Sequence, residues 1–133
     1  MSQLHLLYSG SRFIITAYGD DKGACEVIDF LADRQVLPQE DEDAFMDLFK
    51  RHGDYGQIRN TEKCRLLEDG IFEYKARHGG RIAWFYTAGA VVVCACGVVK
   101  KKQRADPEFI RHAKMIRDRF KQEDQNGDIQ REY

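Results

Sequence analysis

Gly70-Ile71-Phe72-Glu73-Tyr74-Lys75-Ala76-Arg77, followed after a glycine turn by Arg81-Ile82-Ala83-Trp84-Phe85-Tyr86, is the stretch whose reading decides the fold. Successive strand residues point to opposite faces of a sheet. The first run therefore sets Phe72, Tyr74 and Ala76 on one face and Glu73, Lys75 and Arg77 on the other. Taking His78-Gly79-Gly80 as a three-residue hairpin loop pairs Arg77 with Arg81, Lys75 with Ala83 and Tyr74 with Trp84. Cross-strand partners share a face, so Glu73, Lys75, Arg77 and Arg81 gather on one side and Phe72, Tyr74, Ile82, Trp84 and Tyr86 on the other. A two-residue loop at Gly79-Gly80 mixes the faces and is rejected.

Downstream, Ala90 to Val99 is almost wholly apolar and reads as a central strand buried on both faces. It runs into Lys100-Lys101-Lys102-Gln103-Arg104. Asp106 and Pro107 then open a last helix, with Phe109, Ala113, Ile116 and Phe120 as its apolar stripe. Residues 122–133 lack an apolar pattern and are expected to form a flexible acidic tail. Upstream, residues 54–70 read as a connector rich in turn signals. Phe13-Ile14-Ile15-Thr16-Ala17 is a short strand. Asp20 or Asp21 caps a helix carrying Ala24, Val27, Ile28 and Leu31. After Pro38 the acid run Glu40-Asp41-Glu42-Asp43 suits the positive end of a second helix, which buries Ala44, Phe45, Leu48 and Phe49 and ends near Gly53.

At 133 residues, 43% of them hydrophobic, the chain has the size of one domain with a single core. No apolar run approaches the length of a membrane span. The first residues lack the basic start and long apolar segment of a signal peptide, and a cytoplasmic protein is expected. The four cysteines are spaced too irregularly for a disulfide framework. Cys94 and Cys96 are expected to point to one face as core residues, without a metal.

The net charge of −1 hides an asymmetry: residues 61–121 carry fourteen basic side chains against seven acidic ones, while the segments on either side are net acidic. Local field, rather than total charge, decides what a cleft attracts.

Three motifs in sequence carry a resemblance. Leu67-Glu68-Asp69-Gly70-Ile71-Phe72-Glu73-Tyr74-Lys75, then Arg81-Ile82-Ala83-Trp84-Phe85-Tyr86, then Val98-Val99-Lys100-Lys101-Lys102-Gln103-Arg104 leading to Pro107 resemble the L-x-D-G-I-x-E-F-K, R-I-x-x-F and F-x-K-K-T-Q-K-T-P stretches of the RelE/ParE toxin superfamily. The likeness is nearest to its HigB-like, phage-derived branch. Lys102 stands where that family often has threonine, and Asp106-Pro107 shifts the proline by one position. The resemblance implies an α+β fold over residues 1–121: an N-terminal strand and a helical hairpin packed on a small, mainly antiparallel sheet with a C-terminal helix.

The resemblance also implies a toxin of a toxin–antitoxin system, a metal-independent endoribonuclease cutting mRNA in the ribosomal A site. Its reaction is attack of a ribose 2′-OH on the adjacent phosphate, which needs a base, an acid and positive charge at the phosphorane. Arg81 matches the family's strand arginine, a bidentate phosphate clamp. Lys75 matches the lysine closing E-F-K and is a charge stabiliser, or a base if Arg77 and Arg81 depress its pKa. Glu73 is either a second candidate base or an ion-pair partner of Lys75 or Arg77. His78 offers an imidazole for acid work. Lys100 and Lys101 match the family's lysine pair, and with Lys102 and Arg104 are expected to hold RNA phosphates. Tyr86 either donates a proton or stacks a base, although this register faces it away from Arg81. A helix-turn-helix antitoxin is the implied protein partner. Two other functions stay open, a ParE-like gyrase inhibitor that cuts nothing and an inactive prophage-derived module that keeps only its antitoxin contact.

Overall fold

A computed structural model describes residues 1–133 as a seven-stranded mixed sheet with helices on both faces. The elements are β1 (Ser2–Ser9), β2 (Ile14–Gly19), α1 (Glu26–Ala32), α2 (Gln39–Tyr55), β3 (Cys64–Glu68), β4 (Ile71–Lys75), β5 (Gly80–Thr87), β6 (Val91–Val99), α3 (Pro107–Gln125) and β7 (Ile129–Arg131). The sheet order is β3-β4-β5-β6-β2-β1-β7. β2 runs parallel to β6 and β7 parallel to β1, and the other neighbours are antiparallel. The expected α+β class, the mainly antiparallel sheet and the C-terminal helix are all present.

β6 lies at the centre of the sheet with Val91 to Cys96 buried. One face of the sheet joins α1 and α2 through Val27, Phe30, Phe45, Phe49, Tyr74 and Trp84. The other joins α3 through Phe85, Val93, Phe109, Ala113, Ile116 and Phe120. Asp106 caps α3 by accepting from the Glu108 N–H at 3.0 Å, with Pro107 at the first helical position, which starts the helix where a missing N–H costs nothing.

Several elements differ from expectation. β1 and β3 are strands the sequence reading passed over. β3 falls in the supposed connector because it is an edge strand, with charged Arg65 and Glu68 in five residues and only Cys64 buried. It closes on β4 through Asp69-Gly70, both at positive φ (50° and 76°), the two-residue turn that matches the twist of a hairpin. Arg117 of α3 donates to the carbonyl and carboxylate of Asp69 and pins that turn.

Residues 122–133 are not a free tail: α3 continues through Gln125, and β7 lies beside β1, with Glu132 accepting from the Leu6 N–H at 2.8 Å. Its bonds are mostly backbone bonds, which leave no apolar pattern to read.

α1 begins at Glu26, because Asp20 instead accepts from the N–H groups of Lys22 and Ala24 and closes a turn. Ile28 points outward, and Phe30 takes its place in the core. α2 passes through Gly53 to Tyr55. Gly53 is there because Gly10 packs on its backbone, where an added Cβ on Gly10 lands 2.1 Å from the Gly53 carbonyl carbon. A bulge opposite Ala83 and Trp84 shifts the register of β6. Cys94 therefore faces the α1–α2 side and Cys96 the α3 side, correcting the expectation that both thiols share a face.

Candidate functional site

The β4–β5 hairpin has a three-residue loop, as expected, but one residue earlier. Ala76 N–H donates to the Gly80 carbonyl at 2.8 Å, which leaves Arg77-His78-Gly79 as the loop. Gly79 takes the left-handed backbone (φ 94°) that the third position of such a loop requires. Gly80 is extended and wedged against Asp41, Leu37 and Phe45, whose atoms stand 2.9 to 3.0 Å from where a Cβ would sit. The slip moves each pairing by two residues, so Lys75 rather than Arg77 faces Arg81. A two-residue change preserves the faces. Phe72, Tyr74, Ile82, Trp84 and Tyr86 share the α1–α2 side as read.

Asp41, expected only as part of an acidic helix turn, is buried. Its two carboxylate oxygens accept the N–H groups of His78 (3.1 Å) and Gly80 (3.0 Å). The first turn of α2 thereby fixes the hairpin loop. On the loop's other side, Lys100 N–H donates to the Gly79 carbonyl at 2.8 Å and brings the basic segment after β6 alongside.

Between the hairpin loop and that segment opens a cleft of about 290 Å³ whose lining includes Lys75, Arg77, His78, Arg81, Lys100, Lys101 and Lys102, and no carboxylate. Seven of the ten residues singled out from sequence thus converge. The other three do not line it. Glu73 lies fully buried beside it, Arg104 lines a separate groove with Leu67 and Ile110, and Tyr86 is on the opposite face of the sheet.

Glu73 is held by two arginines, neither of them an expected partner. Arg65 Nε donates to it at 2.6 Å and Arg81 Nη1 at 3.3 Å. Arg65 is the residue that sequence reading missed, hidden in the unrecognised β3. Its other terminal nitrogen donates to the Gln103 carbonyl at 2.6 Å, so one side chain ties the buried carboxylate to the basic segment. Lys75 is half-buried above this pair. Burial first, then the Arg65 and Arg81 charges, push its ammonium below the usual lysine value, against a smaller opposing pull from Glu73 and Glu62. His78 stands at the rim with its Nε2 2.7 Å from Glu40.

His52, also missed, is completely buried behind the opposite face. Its Nδ1 is 2.7 Å from the Tyr74 hydroxyl and its Nε2 2.9 Å from the Tyr86 hydroxyl, which itself donates to Gln57. Since Tyr86 spends its proton on Gln57, it accepts from Nε2–H and Nδ1 accepts from Tyr74, which defines a neutral imidazole. Burial lowers the His52 pKa to about 4. The spacing of α2 places His52 on the apolar stripe one turn beyond Leu48 and Phe49, a signal that periodicity alone could have supplied.

Chemically, the cleft can hold a polyanion, place a guanidinium and an amine against one phosphate, and present an imidazole at its edge. No helix of the protein is long and apolar enough to cross a membrane. The family model described as "Phage derived protein Gp49-like (DUF891)" matches residues 33–118, from the end of α1 through most of α3. No curated protein matches the sequence.

Proposed function

We propose, for a chain that belongs to the Gp49-like family of phage-derived proteins, a family of RelE/ParE-like toxin type, that it is a toxin whose cleft cleaves messenger RNA. The convergence of six cationic side chains on one carboxylate-free cleft supports this reading most directly. Removing one preorganised charge donor from such a site typically costs about 10²–10³ in rate.

In this reading each group has its own task. A phosphate in the cleft is met by Arg77 from the loop, over Arg81, which lies buried on the floor with its orientation fixed by Glu73. The fraction of Lys75 present as free amine takes the proton of the ribose 2′-OH, the 2′-oxygen attacks phosphorus, and the 5′-oxygen leaves with a proton from His78. The products are a 2′,3′-cyclic phosphate and a 5′-OH. A depressed lysine pKa raises the fraction of free amine at neutral pH. Lys100, Lys101 and Lys102 hold the flanking phosphates. The developing charge is met by side chains, so the reaction proceeds in chelator. The ribosome positions the message, and a cognate antitoxin protein is the partner that restrains the toxin.

The experiment is cleavage of ribosome-bound message by the purified protein in EDTA, with end analysis of the fragments. Cyclic phosphate and 5′-OH ends that disappear in Lys75→Ala and Arg81→Ala support the reading. Intact messages alongside blocked gyrase supercoiling overturn it in favour of a binding inhibitor.

A further inference from the structure

A second cavity of about 520 Å³ opens between α2 and the end of β4 and shares Lys75, Ala76 and Arg77 with the cationic cleft. Its character is different. Ala44, Leu48 and Ala76 give it an apolar surface, Asp47 and Glu62 stand around it with Gln103, and Lys63 adds a third cation to the two it shares with the cleft. Glu62 and Gln103 contribute only backbone to the protein's own hydrogen bonding, an N–H to Asn60 and a carbonyl to Arg65. Neither side chain has a hydrogen-bond partner in the protein. Asp47 has only a long, exposed contact of 3.6 Å with Arg51, the kind of pair that contributes little.

An apolar floor for a flat ring beside carboxylate acceptors is the composition of a base pocket rather than of a phosphate site. Two carboxylates against three cations make it a weaker phosphate site than the carboxylate-free cleft, and carboxylates accept from amino groups on a base edge. Lys75 and Arg77 line both spaces, so a phosphate they hold has this cavity beside it.

We propose that this cavity is a nucleobase subsite that accepts a base bearing an exocyclic amino group and rejects uracil. Cytosine and uracil are the sharpest pair to compare, since they differ in size by almost nothing. The amino group that cytosine offers to Asp47 or Glu62 is replaced in uracil by a carbonyl oxygen, which those carboxylates repel. The inference rests on the nuclease reading of the adjoining cleft, but its test does not require cleavage.

The test uses 2′-O-methyl pentanucleotides of cytosine and of uracil, which cannot be cut, and measures their binding to the full chain by fluorescence anisotropy. The wild-type protein is expected to bind the cytosine pentamer about fivefold to tenfold more tightly, the low end of the discrimination one good base contact provides. The Asp47→Asn, Glu62→Gln double variant is expected to bring that ratio below about twofold. Removing two negative charges tightens both pentamers, so the ratio is the readout. A wild-type ratio of one, or a ratio unchanged in the double variant, overturns the subsite. Failure of the wild-type protein to cut ribosome-bound RNA, with the ratio intact, overturns the nuclease reading instead.

Discussion

On one face of the β4–β5 hairpin, Tyr74, Trp84 and Tyr86 close around His52, and on the other Glu73, Lys75 and Arg81 stand beside the cationic cleft. Both clusters are built from alternate residues of the same two strands, and both bury polar groups. The His52 cluster is closed: a neutral imidazole gives one hydrogen bond and receives one, stacked or edge-on rings fill the rest, and only the Trp84 Nε1 is left without a partner. The cleft is open. Glu73 is fully compensated by Arg65 and Arg81, but Lys75, Arg77, Lys101 and Lys102 have no anion of the chain within ion-pair distance. A satisfied buried network rigidifies a fold, whereas surplus like charge is held together at a cost that a bound anion relieves. In the proposed reading, that difference separates a structural site from one that takes a ligand.

The largest expected effect breaks the comparison if it fails. Lys75→Met keeps the stem and removes the charge, and RNA cleavage is expected to fall about 10²–10³-fold with the thermal midpoint nearly unchanged. A loss under threefold, measured on ribosome-bound message, removes the cleft from the chemistry. Next comes Glu73→Gln, which leaves two guanidiniums facing an uncharged amide inside the protein. Removing one member of a buried charge cluster costs about 3 kcal/mol, measurable as a shift in the denaturant midpoint. Because Glu73 also orients Arg81, cleavage is expected to fall with it, which would couple the cleft to the fold.

How far the sequence reaches is clear from these two clusters. Period-2 alternation placed Tyr74, Trp84 and Tyr86 opposite Lys75 and Arg81, and this survived an error of one residue in the loop because pairing moved by two. The central strand and α3 were legible because their apolar patterns are dense and Asp106-Pro107 marks the start. Arg65, Asp41 and His52 were not read. Arg65 sits on an edge strand that has little apolar signal. Asp41 looks like any acidic residue in a first helical turn, and only the folded chain shows its carboxylate holding a hairpin loop 37 residues away. His52 is a polar residue on an apolar stripe, and its partners Tyr74 and Tyr86 lie 22 and 34 residues further along the chain. Elements follow local pattern, but buried polar contacts are set by tertiary packing.

The His52 cluster makes its own prediction, in stability rather than activity. His52 is neutral when folded, with a pKa near 4, and in the unfolded chain it binds a proton below about pH 6.5. Its contribution is therefore complete above pH 6.5 and is lost as pH falls towards 4. Linkage gives roughly 2 kcal/mol of lost stability between pH 7 and pH 5. Chemical denaturation across that window is expected to show the slope in the wild type and a flatter line in His52→Gln, which keeps hydrogen bonding but does not titrate. Equal slopes would mean that the imidazole is solvated in the native state.

The smallest effect is the most selective. Binding of single-stranded RNA releases counterions, and the logarithm of affinity falls with the logarithm of salt concentration by about 0.7 per phosphate neutralised. Lys101 lines the cleft and pairs with no carboxylate of the chain, whereas Lys100 already lies 3.9 Å from Asp106. Lys101→Ala is therefore expected to reduce the slope by about 0.7, and Lys100→Ala by less because part of its charge is already met. His52→Gln is expected to leave the slope where it was, even where it weakens the fold. Titrations at four salt concentrations distinguish these outcomes. If Lys100 and Lys101 behave alike, the Asp106 contact carries no weight in solution and the two lysines are equivalent anchors. If neither changes the slope, RNA does not run through this cleft, and the contrast between the open and closed faces of the hairpin is one of packing alone.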